Sequence, residues 1–430
     1  MERTSAACAM EWSIELDKGL RSKRPGQSVE AIIQIGPRLQ QWNREPVLTI
    51  TEYNLFGLVP GEERLFANAI LLRLADAFST GDKHTKLCVV KVFLSELRHR
   101  KKRTKHTYGI LSKGSLESQL ELLRKVKIVF DTGNFESRSL ALVLFGCWAD
   151  FAKDCAEIRY LILSSLVSSH VLEVKASLFA AGCFSELSDD FAFVLLEILV
   201  SMLTSSETLP TVKLAGVQVF AKMGCSSSLA NKVYKAGLKL VIDSSEDDFL
   251  VAMLISLSKL ASKMTFLISR QVDLLFSFLT QGKTLHLQAT ALRCLSFVLV
   301  RGMCHFPATS DSIKTLLTML NESKFPPALQ YGALQIVHEI LFYSLPNMPC
   351  AEMLKFPELL AVIENATHSS IMAKRLLAIR VLVDISVKLV GRTKMALDGV
   401  ASTTLASRVI SLVIERITCA GEASARSSSA

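Results

Sequence analysis

Apolar residues recur with helical spacing along most of the chain, and the clearest case is the stretch 172–202. Its first half carries apolar residues that share one face of an α-helix: Ala176, Phe179, Ala180, Cys183 and Leu187. Ser188 follows, and then Asp189 and Asp190, which is the arrangement of a helix N-terminus. A second apolar stripe continues to Met202. The stretch therefore predicts two helices joined by a tight turn.

Apolar helices of this kind begin at regular intervals. The residues that open them are Lys86, Arg138, Lys175, Lys213, Leu250, Gln288, Gln330 and Lys374. From Arg138 onward the successive intervals are 37, 38, 37, 38, 42 and 44 residues, and a second apolar segment lies between neighbouring openers. Two helices per period of about 40 residues is the pattern of armadillo and HEAT repeats. The sequence predicts an all-α fold, an armadillo- or HEAT-like α-solenoid in which each helical hairpin buries its apolar face against its neighbours.

The repeats define a long solenoid with short segments on either side. The expected segments are disorder over 1–11, the solenoid over 12–419 and a disordered, low-complexity tail over 420–430. Two interruptions are predicted inside the solenoid, a variable loop at 43–61 and a basic inter-helix loop at 98–115. Gly36 and Pro37 predict a break in the helix that precedes the first loop.

Composition changes this picture little. Half of the residues are hydrophobic and the mean hydropathy is +0.34, but charged residues interrupt the apolar runs, so no membrane span is predicted. The amino terminus lacks the pattern of a signal peptide, and the ten cysteines form no CxxC pair, so we expect reduced thiols. A net charge of +9 is mild for 430 residues and does not by itself indicate nucleic acid.

No motif indicates a catalytic residue, a bound cofactor or a metal site, and we expect none. Gln281–Thr284 resembles the end of a phosphate-binding loop, but Ser277 stands where that loop needs a glycine. We interpret the segment as a turn between helices. The histidines lack metal-ligand spacing. Four cysteines are expected on apolar repeat helices, as small core residues: Cys147, Cys183, Cys225 and Cys294.

The sharpest local feature is the basic stretch 98–106, RHRKKRTKH. Its basic residues are Arg98, Arg100, Lys101, Lys102, Arg103 and Lys105. Short basic segments of this kind are typical of nuclear import signals. Two other interpretations stay open: a solvated loop between repeats, and a contact with RNA or DNA phosphates. Apart from Tyr108 there is no interleaved aromatic residue for base stacking.

Several blocks of the chain resemble the subunit-7 family of the Integrator complex. They are ELDKGLR at 15–21, ANAILLRLADAF at 67–78, KLCVVKV at 86–92 and KASLFAAGCFSELSDDFA at 175–192. The resemblance implies an α-solenoid scaffold in a nuclear multi-subunit assembly that associates with RNA polymerase II and cleaves nascent small nuclear RNAs. Cleavage in that assembly belongs to a different, metallo-β-lactamase-type subunit. Family members are much longer, so a carboxy-terminal portion is expected to be absent from this chain.

One other partner class, cargo peptides, and an enzymatic function compete with this interpretation. The resemblance implies other Integrator subunits as direct partners and RNA polymerase II as an indirect one, with nuclear localisation. The alternative is a cytosolic adaptor or transport-receptor-like solenoid that binds cargo peptides. An armadillo peptide groove typically carries repeated Trp–Asn pairs, whereas this chain has only Trp12, Trp42 and Trp148. An enzyme ranks third, because no paired catalytic motif is present.

Overall fold

The computed structural model describes most of the chain. The described residues are 4–42, 45, 48–100, 118–279, 283–302, 310–321, 325–344, 357–393, 407, 410, 411, 413–415 and 418. All regular secondary structure among these residues is helical. No helix in the described residues is long and apolar enough to cross a membrane. The chain forms two compact units, Met1–Leu240 and Val241–Ala430.

The first unit is a series of helices among the residues that the structure describes. Their bounds are α1 Ser5–Arg21, α2 Gln27–Trp42, α3 Ile50–Leu55, α4 Glu62–Thr80, α5 Lys83–Arg100, α6 Gln119–Thr132, α7 Phe135–Cys147, α8 Ala149–Ala152, α9 Ala156–Ser164, α10 Val171–Ser185, α11 Asp189–Thr204, α12 Pro210–Phe220 and α13 Ser227–Asp243. A 3-10 turn, Ser165–Val167, follows α9. The last helix ends just beyond the boundary of the unit.

The second unit is likewise a series of helices in the described part of the chain. Its helices are α14 Asp247–Ala261, α15 Thr265–Ser277, α16 Leu285–Gly302, α17 Ser310–Asn321, α18 Pro327–Ser344, α19 Pro357–Thr367 and α20 Met372–Thr393. Each residue that opens a predicted repeat, from Lys86 to Lys374, lies between the third and fifth position of a helix. The predicted repeat intervals therefore mark the starts of helices in the structure.

Each helix that contains one of these residues near its start is here called an opener helix. The opener helices pack side by side. In the first unit α5 contacts α7, α7 contacts α10, and α10 contacts α12. In the second unit α14, α16, α18 and α20 contact one another in the same order. The helices between them pair with the openers as hairpins, for example α10 with α11 and α14 with α15. This stacking of hairpins confirms the predicted all-α, armadillo- or HEAT-like solenoid.

The hairpin of α10 and α11 shows why the sequence folds in this way. Ser188 caps α11 by accepting a hydrogen bond from the Phe191 backbone N–H at 3.4 Å, as the sequence predicts. Nearly every side chain of α10 from Glu173 to Ser185 is buried, because α7, α11 and α12 all pack against this helix. Gly146 of α7 lets the two opener helices approach closely, since a Cβ there would lie 2.9 Å from the Ala180 Cα.

The amino terminus differs from the predicted disorder over 1–11, because α1 begins at Ser5. The Thr4 side chain accepts a hydrogen bond from the Ala7 backbone N–H at 3.3 Å and caps the helix. The Ser5 backbone N–H and hydroxyl donate to the two carboxylate oxygens of Glu45, at 2.8 and 2.6 Å. The order of this segment thus depends on a residue forty positions away.

The interrupted regions also contain more helix than predicted. Within 43–61, α3 is closed by a capping box between Thr49 and Glu52. It is anchored by Tyr53, whose hydroxyl donates to the Glu63 carboxylate at 2.7 Å. The helix α2 continues through Pro37, because its buried apolar face packs against both α1 and α5. In the basic loop 98–115, the first three residues belong to α5.

Candidate interaction surfaces

The structure separates the predicted basic residues into two groups. Arg98 is exposed on the last turn of α5, and this helix ends at Arg100. The remaining members, Lys101, Lys102, Arg103 and Lys105, lie outside the described residues. The three interpretations of this stretch therefore stay predictions.

A small cavity lies close to the end of α5. It is lined by Leu97, Gly146, Cys147, Ala149, Asp150, Cys183, Glu186 and Leu187. Its volume is about 150 Å³, whereas pockets for drug-sized ligands usually measure roughly 300–1,000 Å³. The size fits a packing defect between opener helices better than a site for a small organic molecule.

In the segment that resembles a phosphate-binding loop, Gln281 and Gly282 lie outside the described residues, whereas Lys283 and Thr284 immediately precede α16. The Thr284 hydroxyl accepts a hydrogen bond from the Leu287 backbone N–H at 3.4 Å, so Thr284 caps α16. The Lys283 Nζ lies 5.0 Å from the centre of the Phe278 ring. The preceding element is the helix α15 and not a strand. These contacts support the interpretation of this segment as a turn between helices.

None of the cysteines among the described residues forms a disulfide. Cys147, Cys183 and Cys294 lie buried on opener helices, as predicted. Cys225 is an exception, because it is exposed in the connection after α12 and not on a helix. Its Sγ donates to the Glu186 carbonyl oxygen at 3.3 Å. In the described part of the chain, no group of three or more His, Cys, Asp or Glu residues could hold a metal ion.

Polar contacts join equivalent places in successive repeats. Arg138 of α7 donates two hydrogen bonds to the Glu173 carboxylate at the start of α10, at 3.1 and 3.0 Å. Glu173 is buried, and it also accepts from the Ser168 hydroxyl at 3.0 Å. These contacts lie at opener helix N-termini, where a carboxylate also satisfies the helix dipole. They fix the register of one hairpin on the next.

The second unit repeats this arrangement with different residue types. The Thr284 hydroxyl donates to the Asp247 carboxylate at 2.7 Å, across 37 positions. The Lys374 Nζ donates to the Gln330 amide oxygen at 2.6 Å, across 44 positions. These separations equal or lie within one residue of the intervals between the openers of the same repeats, 38 and 44. These pairs cannot be recognised from the sequence alone, because the partners share a spacing but no residue type.

The helices that lie between successive openers are here called second helices. In the first unit, two of them carry an exposed surface that the sequence did not reveal. Lys232, Lys235 and Lys239 occupy one exposed face of α13. Beside them, α11 exposes Phe193 and Val194, which are 44% and 50% accessible. The Lys232 Nζ lies 4.2 Å from the centre of the Phe193 ring, so the two helices are neighbours. A search for charges at helical spacing would have found the three lysines. We call these five residues the α11–α13 face.

Most of the chain is similar to one known protein family. The family model for Integrator complex subunit 7, N-terminal, matches residues 63–430. Integrator complex subunit 7 of Gallus gallus is 28% identical over 266 residues, which cover 62% of this chain and 24% of the relative. The Homo sapiens protein of the same name is 27% identical with the same coverage. The chain thus spans about a quarter of the length of these curated relatives.

A solved structure of importin beta is similar in fold. The match covers 94% of this chain and 52% of that chain, with a TM-score of 0.55 and 10% sequence identity. At this identity the likeness shows a shared helical solenoid and nothing about shared cargo.

Proposed function

We propose that this chain, which belongs to the Integrator complex subunit 7 family, is a non-catalytic scaffold subunit of the nuclear Integrator complex. The family resemblance is confirmed by the match over 63–430, which contains three of the four sequence blocks; the block at 15–21 precedes it. That match is the observation which carries the proposal. In this role the chain supports 3′-end processing of small nuclear RNAs and transcription by RNA polymerase II.

The mechanism of a scaffold is the presentation of surfaces at fixed spacing. Opener helices pack in sequence within each unit, and inter-repeat hydrogen bonds such as Arg138–Glu173 hold their register. Second helices such as α11 and α13 carry exposed side chains on this base. Other Integrator subunits are the proposed direct partners, and RNA polymerase II is reached through them. Repeat proteins bind through extended surfaces of this kind.

Two features support a scaffold over a chemical role. The cavity at the end of α5 has a volume of about 150 Å³, below the usual size of a small-molecule site. The buried cysteines Cys147, Cys183 and Cys294 sit on the packing faces of opener helices, where a thiol acts as a small apolar group. Burial raises the pKa of the Cys294 thiol, which disfavours a nucleophilic thiolate.

The test is to deplete the protein from its own cells and sequence the 3′ ends of small nuclear RNAs. The proposal predicts an accumulation of transcripts extended beyond the normal 3′ end, and its reversal when the protein is re-expressed. Normal 3′ ends after verified depletion would contradict the processing role.

A further inference from the structure

The lysines of the α11–α13 face differ from other lysines on second helices. On α6, Lys125 pairs with Asp76 and Glu121, and Lys127 pairs with Asp131 at 2.5 Å and Glu157 at 3.1 Å. Lys232, Lys235 and Lys239, by contrast, have no carboxylate within ion-pair distance among the residues that the structure describes. Their positive charge is therefore not neutralised within the described chain.

The three lysines form a straight row. Their spacing of three and four residues places them on one side of α13, over about 10 Å along the helix axis. Like charges at this spacing repel one another and slightly destabilise the helix. A helix retains such a row at little cost when an opposing charge is supplied from outside.

An apolar strip runs next to this row. Phe193 and Val194 are adjacent on the outer side of α11, and the Lys232 ammonium lies over the Phe193 ring. The surface therefore has an apolar part on α11 and a positive part on α13, and the two meet at Phe193 and Lys232. Its ligand must carry apolar and negative groups side by side.

The charges around Phe193 distinguish a protein ligand from a nucleic acid. Asp190 and Glu197 are both exposed, three residues before and four residues after Phe193 on the same helix face. A base stacked on Phe193 would bring its phosphates towards these carboxylates, which repel them. An amphipathic segment can place apolar residues on α11 and carboxylates on α13 without that conflict.

We propose that the α11–α13 face is a docking surface for an acidic amphipathic helix of a partner protein. Apolar side chains of that helix cover Phe193 and Val194, and carboxylates along its edge meet Lys232, Lys235 and Lys239. Recognition of a helix through side chains one turn apart is a common mode of peptide binding. The surface lies wholly within the unit Met1–Leu240 and stands independently of the proposed place in the Integrator complex.

The test titrates the complete chain into a fluorescein-labelled amphipathic peptide with glutamates on one face and leucines on the adjacent face. Fluorescence anisotropy reports binding. The variant combining Lys232→Glu, Lys235→Glu and Lys239→Glu is expected to weaken it at least about tenfold, since three exposed ion pairs are lost. Phe193→Ala should also weaken binding, because it removes the apolar contact. Thermal unfolding followed by circular dichroism verifies that the variants remain folded.

A second triple variant controls for net charge. Lys18→Glu, Lys23→Glu and Lys91→Glu change the charge equally at exposed positions of α1, the following turn and α5. This variant should bind the peptide as the unaltered chain does. An equal loss in both triple variants, or no binding by the unaltered chain, overturns the proposal. So does binding of single-stranded polyuridine that depends on the same lysines while peptide binding does not.

Discussion

The Lys374 ammonium donates a hydrogen bond to the Gln330 amide oxygen at 2.6 Å, and the two residues open neighbouring helices, α20 and α18. The sequence identifies both residues as starts of repeats, and the structure brings them into contact. This pair shows how the repeat acts physically. A fixed spacing along the chain becomes a side-by-side contact between equivalent helix starts.

The same pair gives a prediction about pH. Burial lowers the pKa of Lys374 below its usual value of 10.5, and its side chain is mostly hidden from solvent. Between the lowered pKa and 10.5, the unfolded chain binds more protons than the folded chain, so the free energy of unfolding rises with pH there. Lys374→Met should remove this contribution to the slope. Urea unfolding at neutral and alkaline pH measures it.

The exposed lysine Lys18 provides the matched control for that experiment. Lys18→Met should leave the pH dependence of unfolding as it is in the unaltered chain. A slope that stays the same in Lys374→Met would show that the pKa of Lys374 is not lower in the folded chain than in the unfolded chain.

The inter-repeat contact between Arg138 and Glu173 should stabilise the first unit. Arg138→Ala leaves the buried Glu173 carboxylate with the Ser168 hydroxyl as its remaining donor among the described side chains. We expect a loss of about 2 kcal/mol in the free energy of unfolding, because a buried charge loses its partner. Denaturant unfolding measures the loss. Adding Glu173→Gln to Arg138→Ala should recover part of it, and an additive further loss would argue against this coupling.

Alanine at two glycines should change the free energy of unfolding in opposite directions, because only one of the glycines lies where two helices approach closely. A Cβ on Gly146 would lie 2.9 Å from the Ala180 Cα, so Gly146→Ala should lower the free energy of unfolding by about 1–3 kcal/mol. At Gly332 the nearest atom would be the Leu292 Cδ1 at 3.6 Å, which is ordinary contact. Gly332→Ala should instead stabilise α18 by about 0.5–1 kcal/mol. Thermal and urea unfolding of both variants compare the two, and equal effects would contradict the packing argument.

The basic stretch should act as a nuclear import signal. Replacing Lys101, Lys102, Arg103 and Lys105 by alanine in a fluorescent-protein fusion should shift the fusion from nucleus to cytoplasm, because receptors recognise the cluster of positive charge. Microscopy measures the ratio of nuclear to cytoplasmic signal. Alanine at Lys18, Lys23 and Lys91 removes charge elsewhere and should have no effect. Unchanged nuclear signal in the first variant would remove the import interpretation.

Periodicity alone was enough to locate the repeat helices. Apolar residues spaced by three and four positions indicate a helix without any knowledge of its neighbours. The repeat intervals from Arg138 to Lys374 follow from the positions of these helices. Ser188 was recognised as a cap because capping is a local property. The all-α solenoid could therefore be predicted from the sequence.

Elements held by distant contacts could not be predicted in this way. The start of α1 depends on Glu45, and α3 is anchored by a hydrogen bond from Tyr53 to Glu63. The continuation of α2 through Pro37 reflects packing on two sides, which outweighs the local cost of proline. The α11–α13 face required knowledge that α11 and α13 are neighbours. Apart from the Thr4 cap of α1 and the Thr49–Glu52 capping box of α3, which are local patterns, these features arise from tertiary contacts that local patterns do not record.

Co-purification tests the central claim most directly. The tagged chain is captured from nuclear extract, and the proteins recovered with it are identified and quantified by mass spectrometry. The account predicts enrichment of several Integrator subunits over a control capture with the tag alone, because the chain serves as a scaffold among them. Recovery of transport receptors or vesicle-coat proteins, without any Integrator subunit, would contradict it.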